Sequence, residues 1–143
     1  MYNKLRVAFF IGASAILAAG HANAQTPAPS GAKVYFINLK NGDSVKSPFK
    51  VQFGLSGMGI APAGVEKEKT GHHHLLVDIE LKGDELVQPI IQDDKHKHFG
   101  GGQTETTVTL SPGKHTLQLV LGDWTHMPHK KPVMSEKITV TVK

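Results

Sequence analysis

From Val34 onward the chain is written in short apolar runs with a period of two. Phe49-Lys50-Val51-Gln52-Phe53-Gly54-Leu55 puts Phe49, Val51, Phe53 and Leu55 on one face, which predicts a half-buried strand. Ahead of it, Val34 to Leu39 is β-branched and aromatic and runs into the turn signal Asn41-Gly42-Asp43. The stretch His73 to Leu81 alternates again, so that Leu75, Val77, Ile79 and Leu81 point inward and His74, Asp78 and Glu80 outward, before Lys82-Gly83-Asp84 turns the chain. Weaker strand signals follow at Leu86 to Ile91 and Thr104 to Leu110. Then come a strong one at His115 to Leu121, where positions 117, 119 and 121 are all Leu, and a closing one at Ile138 to Val142. No stretch carries a convincing helical period and no internal repeat is evident. The pattern predicts an all-β fold, an antiparallel Greek-key immunoglobulin-like sandwich of about seven strands.

A chain of 143 residues and 15.4 kDa has room for one such domain. Residues 1–24 read as a cleaved signal peptide: Lys4 and Arg6, an apolar run from Val7 to Ala19, then Ala22-Asn23-Ala24 as a small-residue cleavage site. That run is too short to cross a bilayer, and no later stretch approaches the roughly 20 apolar residues required, so membrane insertion is not expected. No Cys follows it as a lipidation site. The expected product is therefore periplasmic or secreted. Residues 25–33, rich in Pro, Ala, Ser and Gly, predict a flexible N-terminal tether, and residues 34–143 the sandwich domain.

Removing residues 1–24 changes the charge picture. The formal +4 of the whole chain falls to +2, because fourteen Lys and no Arg then face twelve acidic residues. A chain without Arg lacks the forked donor that reads phosphate and guanine, so nucleic acid is excluded as a partner. The absence of Cys rules out disulfides and thiolate ligands, and leaves imidazole, carboxylate, thioether and backbone groups to hold any ion.

Histidine is the anomaly. Eight of the nine lie beyond residue 24, gathered as His72-His73-His74 at the mouth of a strand, His96-Lys97-His98 in a loop, His115 at a strand start, and His126-Met127-Pro128-His129 after a strand. Residues two apart on an extended segment project to one side, so His96 with His98, and His72 with His74, can each turn two imidazoles toward one ion. If the strands beginning at His73 and ending near Leu121 are antiparallel neighbours, the groups meet at one end of the sandwich, with Gly100-Gly101-Gly102 folding the His96 loop over it. The candidate ligands are His72, His73, His74, His96, His98, His126 and His129, with His98 and His129 expected to matter most. Asp93, Asp94, Asp123 and Glu105 are candidate acceptors that orient the imidazoles. His115 shares a face with Leu117 and is expected to be a hydrogen-bonded strand residue. Several imidazoles, with Met58, Met127 or Met134 as optional thioethers, suit copper first and zinc second, while calcium and magnesium want oxygen. A copper site built on the N-terminal amine needs His at the first mature position, which here is Gln25.

The runs Gly71-His72-His73-His74-Leu75-Leu76, His96-Lys97-His98-Phe99-Gly100-Gly101-Gly102-Gln103-Thr104-Glu105, Pro112-Gly113-Lys114-His115-Thr116-Leu117-Gln118-Leu119 and Gly122-Asp123 with His126 and Pro128-His129 resemble a bacterial family of small exported proteins, domain-of-unknown-function family 4399. The resemblance spans about Val34 to Val142 and implies an exported single domain, without an activity to carry over. Three function classes follow from the residues. The first is a metal-binding protein for sequestration or delivery, whose partners are the ion and an envelope protein that receives it. The second is an envelope binding module for a glycan, peptide or protein, using Trp124, Phe99 and Gln103 with no metal. The third is an enzyme in which His works with Asp93, Asp94 or Glu105, disfavoured because no catalytic constellation is visible. The histidine excess in a chain with only 6% aromatic residues favours the first.

Overall fold

A computed structural model describes residues 25–143; the expected signal peptide and His21 lie outside the described residues. The strands are β1 (Lys33–Phe36), β2 (Ser44–Val45), β3 (Phe49–Ser56), β4 (Gly59–Ile60), β5 (Thr70–Val77), β6 (His96–His98), β7 (Glu105–Val108), β8 (Gly113–Gly122) and β9 (Ile138–Val142). Among the described residues the one helical element is a 3₁₀ turn, Gly83–Val87. The strands form two sheets. One has the order β1-β3-β7, with both pairings antiparallel. In the other, β5, β8 and β9 lie side by side and antiparallel, β2 adds to β9 in parallel, and β4 and β6 follow one another along the free edge of β5. The chain starts in the smaller sheet at β1, touches the larger one at β2, returns for β3, crosses for β4, β5 and β6, returns for β7 and crosses again for β8 and β9. That path is the expected Greek-key sandwich of immunoglobulin-like type.

The period-two pattern explains the core. Phe49, Val51 and Phe53 of β3, Val108 of β7, Leu75 and Val77 of β5, Leu117, Leu119 and Leu121 of β8, and Val140 and Val142 of β9 form one buried cluster between the sheets. A second cluster lies on the opposite face of the larger sheet, where Leu76 of β5 and Val120 of β8 pack against Leu81 and Ile90, with Ile79, Leu86 and Met134 at its margin. The larger sheet is therefore covered on both faces at β5 and β8, and β5 is buried from Gly71 to Val77 without a break. A strand buried on both sides cannot show the apolar-in, polar-out rhythm of a half-exposed one.

Three expectations need correction. The strand expected to run to Leu81 stops at Val77, because Asp78 takes a left-handed φ of +57°. Its carboxylate there accepts from the Thr116 amide at 2.8 Å and meets His115 Nδ1 at 2.6 Å, which rewards the turn. Ile79 and Leu81 consequently join the outer cluster, not the main core. Leu86 to Ile91 is 3₁₀ turn and loop, not strand. In place of a free tether, the segment at residues 25–29 lies against the domain. Gln25 Nε2 donates to the carbonyls of Leu86 and Pro128 at 2.8 Å each, and Ala28 packs on the main core.

His73 occupies an odd position of β5 and so faces the core. Its ring lies 5.0 Å from that of Phe53, it has no exposed surface, and neither ring nitrogen finds a partner. A buried polar group without partners costs about 1–3 kcal/mol. His73→Leu is accordingly expected to keep or raise the urea unfolding free energy at pH 7, by about 1–2 kcal/mol; a clear loss of stability in that variant contradicts the assignment of His73 to packing alone.

Candidate metal centre

Even positions of β5 face the outer side of the larger sheet, and His72 and His74 are two of them. Across the ladder, His72 stands opposite Gly122 of β8, and His74 opposite Val120 of β8 on one side and His98 of β6 on the other. Position 122 must be glycine for this packing: a Cβ there would lie 2.8 Å from His74 Nε2. Gly100 makes the same allowance for His98, whose Nε2 would be 2.6 Å from a Cβ at that position. Immediately after β8, a tight turn carries His126 back over the sheet.

That turn is organised by Asp123, which is 1% exposed. Its Oδ1 accepts from the Thr125 amide at 2.9 Å, the Thr125 hydroxyl at 2.8 Å and the Met127 amide at 3.0 Å, while its carbonyl accepts from the His126 amide at 2.9 Å. His126 sits at φ +68°, in the left-handed region that few non-glycine residues occupy, and its own carbonyl is held by the Ile90 amide at 2.9 Å.

The outcome is a knot of four imidazoles. One ring nitrogen from each of His72, His74, His98 and His126 lies within 4.8 Å of the others. His72 Nε2 is 3.0 Å from His74 Nε2 and 3.2 Å from His126 Nδ1. Nitrogens bound to one ion at about 2.0–2.1 Å stand about 2.9–3.4 Å apart for bond angles between 90° and 109°, so these two separations already match ligands of a single ion. Hydrogen bonding accounts for the group poorly. One proton on His72 Nε2 can serve only one of its two neighbours, and His98 Nε2 is buried with no partner.

Electrostatics prepares these lone pairs. Burial, followed by repulsion from His98 and His126, lowers the pKa of His72 to about 4; burial, followed by repulsion from His72, His98 and His126, lowers that of His74 to about 2. His98 is also pushed below the usual imidazole range, by burial first and His126 second. Neutral imidazole is the form that binds metal. His72 and His74 are fully buried, whereas His98 and His126 are half-buried and form the solvent-facing side.

Of the seven candidate ligands, His72, His74, His98 and His126 come together and three do not. His73 faces the core. His96 lies opposite Leu76, two residues along β6 from His98, and its Nδ1 is held by Asp93 Oδ1 at 2.8 Å. His129, expected to be among the strongest ligands, is buried, with its Nδ1 on the Thr26 hydroxyl at 2.9 Å. Among the carboxylates only Asp123 adjoins the cluster, and it braces backbone, not imidazole. Asp93 serves His96, Asp94 is exposed, and Glu105 pairs with Lys50 and Gln52 on the other sheet. His115 is the hydrogen-bonded strand residue expected, set between Asp78 and the Ser111 carbonyl. Met58 and Met134 fill gaps beside the two apolar clusters. The cluster lies on the outer face of the larger sheet, near where β5 begins, and not across the sandwich end. Sequence reasoning missed Gly122 and Thr26; the Gly122-Asp123 pair directly after a strand of leucines was the available signal.

Over residues 51–143 the chain matches the family described as Domain of unknown function (DUF4399), a range that contains all four clustered histidines. Among solved structures it is similar to the fibronectin(III)-like modules of Clostridium thermocellum CbhA, with 14% identity over 76% of this chain and 92% of that chain and a TM-score of 0.36. No curated protein sequence matches it.

Burial lowers His73 to about 4 as well, so three folded imidazoles resist protonation down to about pH 4 or below, while in the unfolded chain they take up protons near 6.5. Between those limits the unfolded state binds more protons, and acid favours it. The unfolding free energy of the metal-free protein is expected to be level above pH 7 and to fall steadily from pH 6.5 to 4.5, each histidine contributing up to about 1.4 kcal/mol per pH unit. A flat profile across that window contradicts the buried, neutral assignment.

Proposed function

We propose that this chain, which belongs to the family Domain of unknown function (DUF4399), binds a transition-metal ion through His72, His74, His98 and His126. The observation that carries this reading is the convergence of four imidazole nitrogens within 4.8 Å, two of them on a strand buried on both faces. Copper(II) and zinc are the ions that an all-imidazole, sulfur-free set of four suits. Copper(I), which favours thiolate and thioether, is disfavoured. Four protein ligands close a tetrahedral zinc shell and fill the equatorial plane of copper(II), which fits storage or transfer better than catalysis. His98 and His126, on the open side, are the ligands that a second protein could exchange first. The charged, apolar and small-residue sequence of Met1 to Ala24 supports export, so the working role is sequestration of copper or zinc in the periplasm or outside the cell, or delivery to an envelope protein that receives it.

Calorimetric titration of the protein with Cu2+ and Zn2+ at pH 7.5 tests the reading. One equivalent is expected to bind, with affinity falling at pH 5.5 as protons compete for the imidazoles. His72→Ala or His74→Ala is expected to weaken binding at least tenfold, as loss of a ligand outweighs the 10- to 100-fold typical of losing a supporting group. His96→Ala and His115→Ala are expected to leave affinity within about threefold, since neither meets the cluster. Unchanged affinity in both β5 variants, with circular dichroism intact, overturns the assignment, as does the absence of binding to the unaltered protein.

A further inference from the structure

The same carboxylate that shapes the His126 turn also anchors the N-terminal stretch. Asp123 divides its two oxygens between them. Oδ1 holds the Thr125 and Met127 amides, and Oδ2 accepts from the Thr26 hydroxyl at 3.1 Å, with the Thr26 amide at 3.4 Å. Because the hydroxyl proton goes to the carboxylate, Thr26 Oγ1 must accept from His129 Nδ1–H at 2.9 Å, which fixes the tautomer of His129 and ties the residues beyond the turn to the same point. The Lys130 amide donates to the Thr26 carbonyl at 3.0 Å, and Gln25 Nε2 reaches the carbonyls of Pro128 and Leu86. Residues 123–130, which carry His126, are thus clamped from outside by two residues of the N-terminal stretch.

We infer that docking of residues 25–29 is thermodynamically coupled to metal occupancy of the four-histidine site, with Thr26 and Asp123 as the linkage. The inference rests on the metal-binding reading above. An undocked segment removes the partner of Asp123 Oδ2 and leaves a buried carboxylate with one side unserved, and the turn that holds His126 at a positive φ loses its brace. By reciprocity, whatever factor docking adds to metal affinity, metal adds to docking. Residues 25–29 then report the loaded state to any protein or protease that reads the segment.

The test uses the whole protein with Cu2+ or Zn2+ alone and three variants. Thr26→Val keeps the shape and removes the hydroxyl; Thr26→Ser restores the hydroxyl; His72→Ala removes a ligand that shares no hydrogen bond with Thr26 or Asp123. Thr26→Val is expected to weaken metal binding by roughly five- to tenfold, the low end of typical coupling between sites, and Thr26→Ser to recover it. Hydrogen exchange at the Lys130 amide, whose partner is the Thr26 carbonyl, is expected to slow by a similar factor when metal is added to the unaltered protein and to need at least tenfold more metal to slow in His72→Ala. Equal affinities for Thr26→Val and the unaltered protein, or a Lys130 amide that ignores metal in a protein that binds it, overturn the linkage while leaving the metal site standing. Absence of binding to the unaltered protein overturns both.

Discussion

Burial of β5 on both of its faces is the constraint from which the rest follows. A strand in the middle of a sandwich normally gives one face to the core and the other to water. Here the odd residues Leu75 and Val77 fill the space between the sheets and the even residue Leu76 is covered from outside by Leu81 and Ile90. Three consecutive imidazoles at 72–74 are thereby removed from solvent. Water can no longer stabilise their charged forms, so they stay neutral, and hydrogen bonding within the protein leaves several of their nitrogens without partners. The nitrogens that converge, His72 Nε2 and His74 Nε2, meet only other imidazole nitrogens; neutral lone pairs gathered in a covered, preformed position are what an ion can use.

The cover is as specific as the strand. Short β6 sets His98 beside His74 by ladder register, and Gly122 and Gly100 clear the volume the rings occupy. The fourth imidazole arrives on a turn whose left-handed residue is held by a buried carboxylate rather than by sheet pairing. Asp123 is the point where strand end, ligand turn and N-terminal stretch meet. Substitution there should be felt at all three, which separates it from Asp93, whose carboxylate reaches only Lys95 and His96.

Much of this was legible in the amino-acid sequence. Alternation alone located β3, β8 and β9 to within a residue or two, and the Leu117, Leu119, Leu121 series identified the central strand of the larger sheet. Spacing by two correctly joined His72 to His74. The same rule misled at His96 and His98: both face one side, yet register puts His98 opposite His74 and His96 opposite Leu76, and register is a property of the paired strands. His73 was grouped with its neighbours although the period of two sends it to the other face. His129 failed as a ligand because the direction of the chain after His126 depends on a positive φ and on Asp123, neither of which residue spacing encodes. The Pro-rich start at residues 25–33 looked like a tether because composition is blind to two side chains, Gln25 and Thr26, that reach buried carbonyls and a buried carboxylate.

X-ray absorption at the metal edge of the protein loaded with one equivalent of Cu2+ or Zn2+ reads whether four imidazoles share one ion. About four nitrogen neighbours near 2.0 Å are expected, with the outer-shell scattering of several imidazole rings and no sulfur. A first shell dominated by oxygen, or one with fewer than three imidazoles, would contradict it.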